Sequence, residues 1–340
     1  MSAALGSRYN LRLRNDEWFG SCPIKKERVP SFHVDAASGN WRCSICEAVG
    51  TPARLLEIVE GLDYPDAIAT LIGRPLKAAN DGFGNRALRS IILSANDFAA
   101  DFFRAYRQTH AGAAKGRLYL SDRGFSDEIL DRFNIGYAPQ TVDGHNAFAS
   151  AFAAAGYSED VGLKAGLLAE SERGIYPFFR DRIIIPMRSQ TGETIAFGGR
   201  SRVKHPRKYI NTSLTPVHRK GAALYAMDVA AETIAQMGEA IIVEGYFDAV
   251  TMHSAGFANT VAALGTSFSH EQARSIHLLG ASALACFDAD DAGRRAAQRA
   301  KQTAEEVGLN LRTVTIPEGL DPDDIIRTGG AEMMRGLLAA

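Results

Sequence analysis

The chain has 340 residues, enough for two or three domains that each bury a core. Its hydrophobic content of 46% and charged content of 23% are ordinary for a soluble globular protein, and no apolar run approaches the roughly 18 residues needed to span a bilayer. A formal net charge of −1 excludes a uniformly basic coat, although the distribution of charge matters more than its sum. The N-terminus lacks the apolar core of a signal peptide, so a cytoplasmic location is expected. Of the four cysteines, three fall within residues 22–46, and clustered cytosolic cysteines suggest metal rather than disulfides.

Residues 1–74 read as a first unit. Cys22 precedes a strand-like Ser31 to Val34, and Trp41-Arg42 leads into Cys43-Ser-Ile-Cys46, the spacing of a metal knuckle. Thr51-Pro52 marks a helix start, which carries Leu55, Leu56, Ile58 and Val59 and ends at Gly61. A linker is expected over 75–89, where Pro, Gly and Asn replace apolar residues.

A second unit, 90–238, opens with helical spacing through Ile91, Ile92, Phe98, Phe102 and Phe103, aromatics that read as core. Ser126 with Asp127 and Glu128 caps a further helix. Strands follow at Ile183–Pro186 and Thr194–Phe197 around a Gln190-Thr-Gly192 turn. Between Glu193 and Asp228 there is no acidic residue, whereas Arg200, Arg202, Lys204, Arg207, Lys208, Arg219 and Lys220 all occur there. Such a stretch, with Tyr209 and Asn211 interleaved, suits phosphate contacts.

The third unit, 239–330, alternates strand and helix before a tail at 331–340, which specifies a parallel sheet with helices on both faces. Ile241-Ile-Val243 and Ala283 to Phe287 lack polar alternation and read as strands buried on both faces. Each runs into carboxylates: Glu244 and Asp248 after the first, Asp288 and Asp290 after the second. Ligands bind beyond the carboxyl ends of such strands, so Glu244, Asp288 and Asp290 should converge. Carboxylates at one point repel unless a divalent cation sits among them. Cys286, within an apolar strand, reads as a buried inert thiol.

This spacing resembles the Toprim domain, and within that group the chain is most similar to bacterial DnaG-type primases. Arg132–Pro139, Phe197–Arg200, Lys208–Asn211 and Leu264–Ser267 look like that family's landmarks in the family's order, and the resemblance covers roughly residues 7–330. The fold it implies is α/β (α+β overall): a Toprim Rossmann-like parallel sheet, preceded by a mixed α/β primase subdomain and a small zinc-ribbon-like β domain.

The activity implied is nucleotidyl transfer: template-directed synthesis of short RNA primers on single-stranded DNA from nucleoside triphosphates, at the replication fork. The resemblance places catalytic residues at Glu244, Asp288 and Asp290, with Glu244 either ligand or general base. Mg²⁺ or Mn²⁺ is implied on these together with Asp248, Asp321 and Asp323. Ala289 departs from the glycine usual between the two aspartates. Arg200, Lys208 and Lys220 should face the groove for template and nucleotide, with Arg180, Arg182, Asn211 and Arg219 as further candidates.

The family's zinc ribbon reads Cys-Pro-x-His and then Cys-x-x-Cys, whereas here Lys25 stands at the histidine position after Cys22. Protonated lysine has no lone pair for zinc. Cys22, Cys43 and Cys46 remain, with Glu27 and Pro30-Ser-Phe32 also kept. The fourth ligand is open between His33, another group and water, and a metal-free ribbon held by apolar packing is the rival reading. Two other functions stay in view: a catalytically weak, single-strand-binding regulatory protein, and a Toprim nuclease. A topoisomerase would need a separate domain carrying a nucleophilic tyrosine. The family's helical, helicase-contacting domain is not seen after the Toprim unit, so a fragment or a primase of mobile-element or phage type is expected, and a helicase partner is a weaker expectation.

Overall fold

The computed structural model describes the chain apart from residues 1–4, 7, 26–28, 38, 47, 61–83, 143–144, 204, 265–267 and 340. It divides into two units, residues 1–82 and 83–340. Gly61, Glu27, Lys204, Gly265 to Ser267 and the linker residues 75–83 therefore lie outside the described residues.

In the first unit, strands β1 (Arg12–Arg14), β2 (Glu17–Ser21), β3 (Pro30–Asp35), β4 (Trp41–Cys43) and β5 (Val49–Gly50) form one antiparallel sheet in sequence order. Side chains alternate across a strand. Phe32 and Val34 of β3 and Trp41 and Cys43 of β4 therefore share the buried face, where Phe32 stacks on Trp41 with centroids 5.3 Å apart. Helix α1 (Pro52–Glu60) adds Leu55 and Leu56 to this core. The Thr51 hydroxyl caps it, accepting the Arg54 N–H at 3.3 Å.

The second unit opens with the long helix α2 (Gly84–Thr109), which makes residues 84–89 helical. Helices α3 (Ala114–Asp122) and α4 (Asp127–Arg132), strand β6 (Gly136–Ala138), helices α5 (Ala147–Ala154) and α6 (Glu159–Ala165) and the hairpin β7 (Leu168–Ser171)–β8 (Gly174–Pro177) follow. Strands β9 (Arg182–Arg188), β10 (Thr194–Ser201) and β11 (Tyr209–Asn211) pair with β6 in the antiparallel order β11-β10-β9-β6. Phe103 is buried among Phe148, Phe179 and Phe197, with Phe98 and Phe102 packed on the same cluster.

Helix α7 (Met227–Met237) leads into the parallel sheet. Its strands are β12 (Glu239–Val243), β13 (Thr260–Ala262), β14 (Ser282–Ala285) and β15 (Leu311–Thr313), linked by helices α8 (Tyr246–Ser254), α9 (His270–His277) and α10 (Asp291–Val307). A last helix, α11 (Pro322–Ala339), breaks at Gly330, whose φ of 72° suits glycine. The strand order is β13-β12-β14-β15, all parallel. Ile241 and Val243 join one core with Phe247, Val250 and Ile325, whereas Ala240 and Ile242 join the other with Ile234, Ile276 and Ala300. Burial on both faces is why this run lacks polar alternation. From β12 the chain goes to one side and then the other, so the carboxyl ends of β12 and β14 flank a topological switch point.

Candidate active site

Glu244 and Asp288 leave the ends of β12 and β14 at that switch point, and the Asp288 N–H donates to Glu244 Oε1 at 3.1 Å. The Glu244 backbone is held by the Leu264 N–H, 3.0 Å from its carbonyl, with Leu264 at a φ of 61°. A non-glycine residue in the left-handed region is a local strain of the kind that clusters at functional sites. Three further carboxylates cap helices. Asp290 Oδ1 accepts the Gly293 N–H of α10 at 2.7 Å. Asp248 Oδ2 accepts the Gly245 N–H before α8 at 2.8 Å, and Asp321 Oδ1 accepts the Asp324 N–H of α11 at 2.7 Å. Helix N-termini favour negative charge, which helps hold these groups in place. Gly293 permits the packing: a Cβ there would lie 2.0 Å from the Asp288 carbonyl and 3.0 Å from Glu244 Oε1.

The electrostatics are unfavourable for the carboxylates by themselves. Burial, then the charges of Asp321 and Asp288, push the Asp248 carboxyl up to about 7. Burial, then Glu244 and Asp321, push Asp288 up to about 6. Burial also raises Glu244 and Asp321. Asp288 Oδ1 is buried with no hydrogen-bond partner. An orphaned carboxylate oxygen among repelling carboxylates fits a hard divalent cation bound by oxygen.

Among the described residues Asp323 belongs to a group of carboxylates close enough to share an ion. It lies close to Asp321 and Asp324, within 4.8 Å by ligand atoms, but both its oxygens already have protein donors. Arg123 donates to Oδ2 and Thr251 Oγ1 to Oδ1, the latter at 2.5 Å. Its side chain is 3% exposed, so Asp323 anchors α11 and thereby places Asp321. Ala289 has no positive φ and packs on the core.

The basic candidates separate by burial. Arg182 is buried and donates to the carbonyls of Gly199, Arg207 and Lys208 at 3.1–3.3 Å, bracing the β10–β11 hairpin instead of facing a groove. The Arg200 guanidinium sits over Tyr119, Tyr209 and Phe247 at 5.4, 5.2 and 5.0 Å and donates to the Tyr209 hydroxyl at 2.6 Å. Lys208 and Lys220 are exposed, as is Arg180, which lies 4.6 Å from the Tyr176 ring centre. Arg219 is exposed but paired with Glu271 at 2.6 Å. Asn211 accepts from the Tyr246 hydroxyl at 3.2 Å, which ties this hairpin to the start of α8 beside Asp248. The two glycines before Arg200 allow close packing on both faces of β10: a Cβ on Gly198 would meet the Tyr246 ring at 2.6 Å, and one on Gly199 the Phe179 ring at 2.6 Å.

Arg123 and Thr251 were not visible as site residues in the sequence. The only cue was an Arg-Gly pair just before the Ser126 cap, and the partner Asp323 is far away along the chain.

Three family matches cover these regions. The CHC2 zinc finger matches residues 1–79, the DNA primase catalytic core N-terminal domain 102–231 and a Toprim-like domain 241–326. A DnaG primase catalytic domain solved bound to ssDNA aligns with a TM-score of 0.69 and 32% identity, over 75% of this chain and 80% of that one. The chain belongs to the DnaG-type DNA primase family. The DNA primase of Halalkalibacterium halodurans is 35% identical over 342 residues, covering 97% of this chain and 56% of the relative. The zinc-binding and RNA polymerase domains of the Aquifex aeolicus primase align over 99% of this chain and 82% of that one, with a TM-score of 0.65 and 29% identity. The chain thus spans little more than half the length of the curated primases it matches. Among the described residues no helix is long and apolar enough to cross a membrane.

The primase zinc-finger region of this chain brings three thiols together. Cys22, Cys43 and Cys46 place their sulfurs within 4.8 Å of one another, with Cys22 Sγ and Cys46 Sγ 3.9 Å apart. His33 is not among them. It pairs with Arg42 and Phe19 across the sheet, on the face opposite Phe32 and Cys43, and its Nδ1 lies 3.1 Å from Glu17 Oε2. Cys286 is fully buried, and burial raises its thiol to about 12, which keeps it protonated and inert.

Proposed function

We propose that this chain is the template-directed, primer-synthesising part of a DNA primase, acting in the cytoplasm on single-stranded DNA. In this reading residues 1–74 engage template, 90–238 hold template and nucleotide phosphates, and 239–330 carry the metal-binding Toprim fold. The observation that carries it is the buried, unpartnered Asp288 Oδ1 on a residue hydrogen-bonded to Glu244, in a chain of the primase family.

Glu244, Asp248, Asp288, Asp290, Asp321 and Asp323 would hold Mg²⁺ or Mn²⁺, which supplies neutralisation of a triphosphate and a lowered pKa for a hydroxyl nucleophile. Lys208 and Lys220, both exposed, would contact nucleic-acid or nucleotide phosphates as point charges. Arg200, locked by three aromatic rings, keeps a fixed cationic wall near Tyr209 and α8. Glu244, its pKa raised by burial, is the candidate acceptor for the proton of a primer-end 3′-hydroxyl. That oxygen forms a bond to the α-phosphorus of an incoming nucleotide, and the bond to pyrophosphate breaks.

The test is incorporation of labelled ribonucleotides on a single-stranded template with Mg²⁺ or Mn²⁺, beside Asp288→Ala. Short products from the wild type and none from the variant are expected. No product across metals and templates would sink the reading, as would synthesis undiminished by Asp288→Ala. Lys25 in the zinc finger favours one second reading, a single-strand binder with little synthesis; it predicts DNA affinity unaffected by Asp288→Ala.

A further inference from the structure

We propose that the groove between α10 and β15 is a second nucleoside-phosphate site, which holds the nucleotide that presents its 3′-hydroxyl to the carboxylate cluster. The proposal deepens the primer-synthesis reading and rests on it. Without a primer, the first phosphodiester bond joins two nucleotides, so the chain needs room for one beyond the nucleotide that is attacked.

Ligands of open α/β sheets sit beyond the carboxyl ends of the strands. Glu244 and Asp288 occupy that edge at β12 and β14, and the groove continues along it to β15, the last strand of the sheet. Its volume of about 390 Å³ falls in the range of small-molecule sites, roughly 300–1,000 Å³. Phe287, Val314 and Ile316 give it an apolar lining against which a base or sugar can pack.

Gln298, Lys301, Thr313 and Thr315 also line the groove. Among the described residues none of these four side chains has a hydrogen-bond or ion-pair partner. Arg294 does: it donates to the Ala289 carbonyl and pairs with Asp291, which leaves Lys301 as the uncommitted cation of the groove. The groove is also polarised along its length. Asp288 is the one carboxylate among its lining residues, and it stands beside Gly293, where a Cβ would meet its carbonyl. Lys301 follows eight residues later on α10, about 12 Å along the helix axis. A 5′-phosphate is drawn to the lysine and repelled by the aspartate, which turns the ribose hydroxyls towards Asp288. Gln298 and the two threonines offer neutral hydrogen bonds between those ends. A free starting nucleotide and the last nucleotide of a primer share this chemistry.

The experiment uses the full chain carrying Thr315→Cys, an exposed position, and follows its alkylation by iodoacetamide in chelator by mass spectrometry. ATP or GTP should slow alkylation saturably. Adding Lys301→Glu should raise the nucleotide concentration required by at least about 10-fold, the size of one charge-assisted hydrogen bond. Alkylation indifferent to nucleotide would overturn the proposal, and so would protection unmoved by Lys301→Glu. Synthesis decides the source. In Lys301→Glu the KM for the starting nucleotide in primer-free synthesis should rise by about 10-fold. A rise confined to that reaction assigns the groove to a free nucleotide, and an equal loss on an annealed primer assigns it to the primer end. No loss in either reaction overturns the proposal, even where Thr315→Cys does not fold. Protection by nucleotide in a wild type that makes no primer supports the site while defeating the catalytic reading.

Discussion

Arg123 and Asp323, 200 residues apart in the chain, form a charge-assisted hydrogen bond that joins the segment after α3 to the first turn of α11. Arg123 also lies over the Phe247 ring at 5.0 Å, on a ring that Arg200 approaches at the same distance. The aspartate is almost wholly buried and has Thr251 as its second donor. The pair thus sets where Asp321, two residues before Asp323, stands relative to Asp248.

Removing Arg123 would leave the buried Asp323 with only the longer ionic contact to Arg327, at 3.7 Å. Breaking a buried pair from one side costs roughly 3 kcal/mol, somewhat less where solvent reaches the arginine. Arg123→Ala should therefore lower the urea midpoint clearly, while Asp323→Asn, which can still accept from Thr251, should lower it less. Equal midpoints for the wild type and Arg123→Ala would show that the pair contributes nothing.

Asp288→Asn should separate stability from metal binding. The folded-state pKa of Asp288 is raised to about 6, so its contribution is favourable below the ordinary carboxylate range and is lost as pH rises through 6. At pH 7.5 without divalent metal, the amide removes that repulsion and should stabilise the protein by roughly 1 kcal/mol after screening. The rise in Tm on adding Mg²⁺ or Mn²⁺ should be present in the wild type and smaller in the variant. A variant that melts lower than the wild type in chelator, with an undiminished metal response, would contradict this account.

His253 supplies the opposite pH signature. Burial depresses it to about 4, and Nε2 lies 2.8 Å from the Thr260 carbonyl. A depressed folded-state pKa gives stability that is present above the unfolded value near 6.5 and lost as pH falls towards 4. The loss amounts to at most about 3 kcal/mol. His253→Gln should be less stable than the wild type at pH 7.5, and the difference should shrink by pH 4.5. A difference independent of pH over this range would rule out the histidine as its source.

Much of the parallel sheet was legible because its signals are local. Ile241 to Val243 read as a doubly buried strand from the lack of polar alternation, and Thr51-Pro52 and Ser126 mark helix starts through their own hydroxyls. The second carboxylate strand stops at Ala285, short of Phe287, and α11 was not anticipated, since Gly329 and Gly330 interrupt its helical pattern.

By itself the sequence determined the inventory: which carboxylates follow which strands, where cations accumulate without acids, and that lysine replaces a histidine beside Cys22. Only tertiary structure decided what each group meets. Arg182 and Lys208 carry the same charge, yet one is buried on backbone carbonyls and the other is exposed. Alternation separates His33 from Phe32, but the pairing of Phe32 with Cys43 is what turns the imidazole away from the thiols. Asp321 and Asp323 look equivalent in sequence, until Arg123 arrives from 200 residues away to bond to Asp323. Local patterns record backbone preference and charge, whereas partnership depends on contacts between residues distant in the chain, which no local pattern encodes.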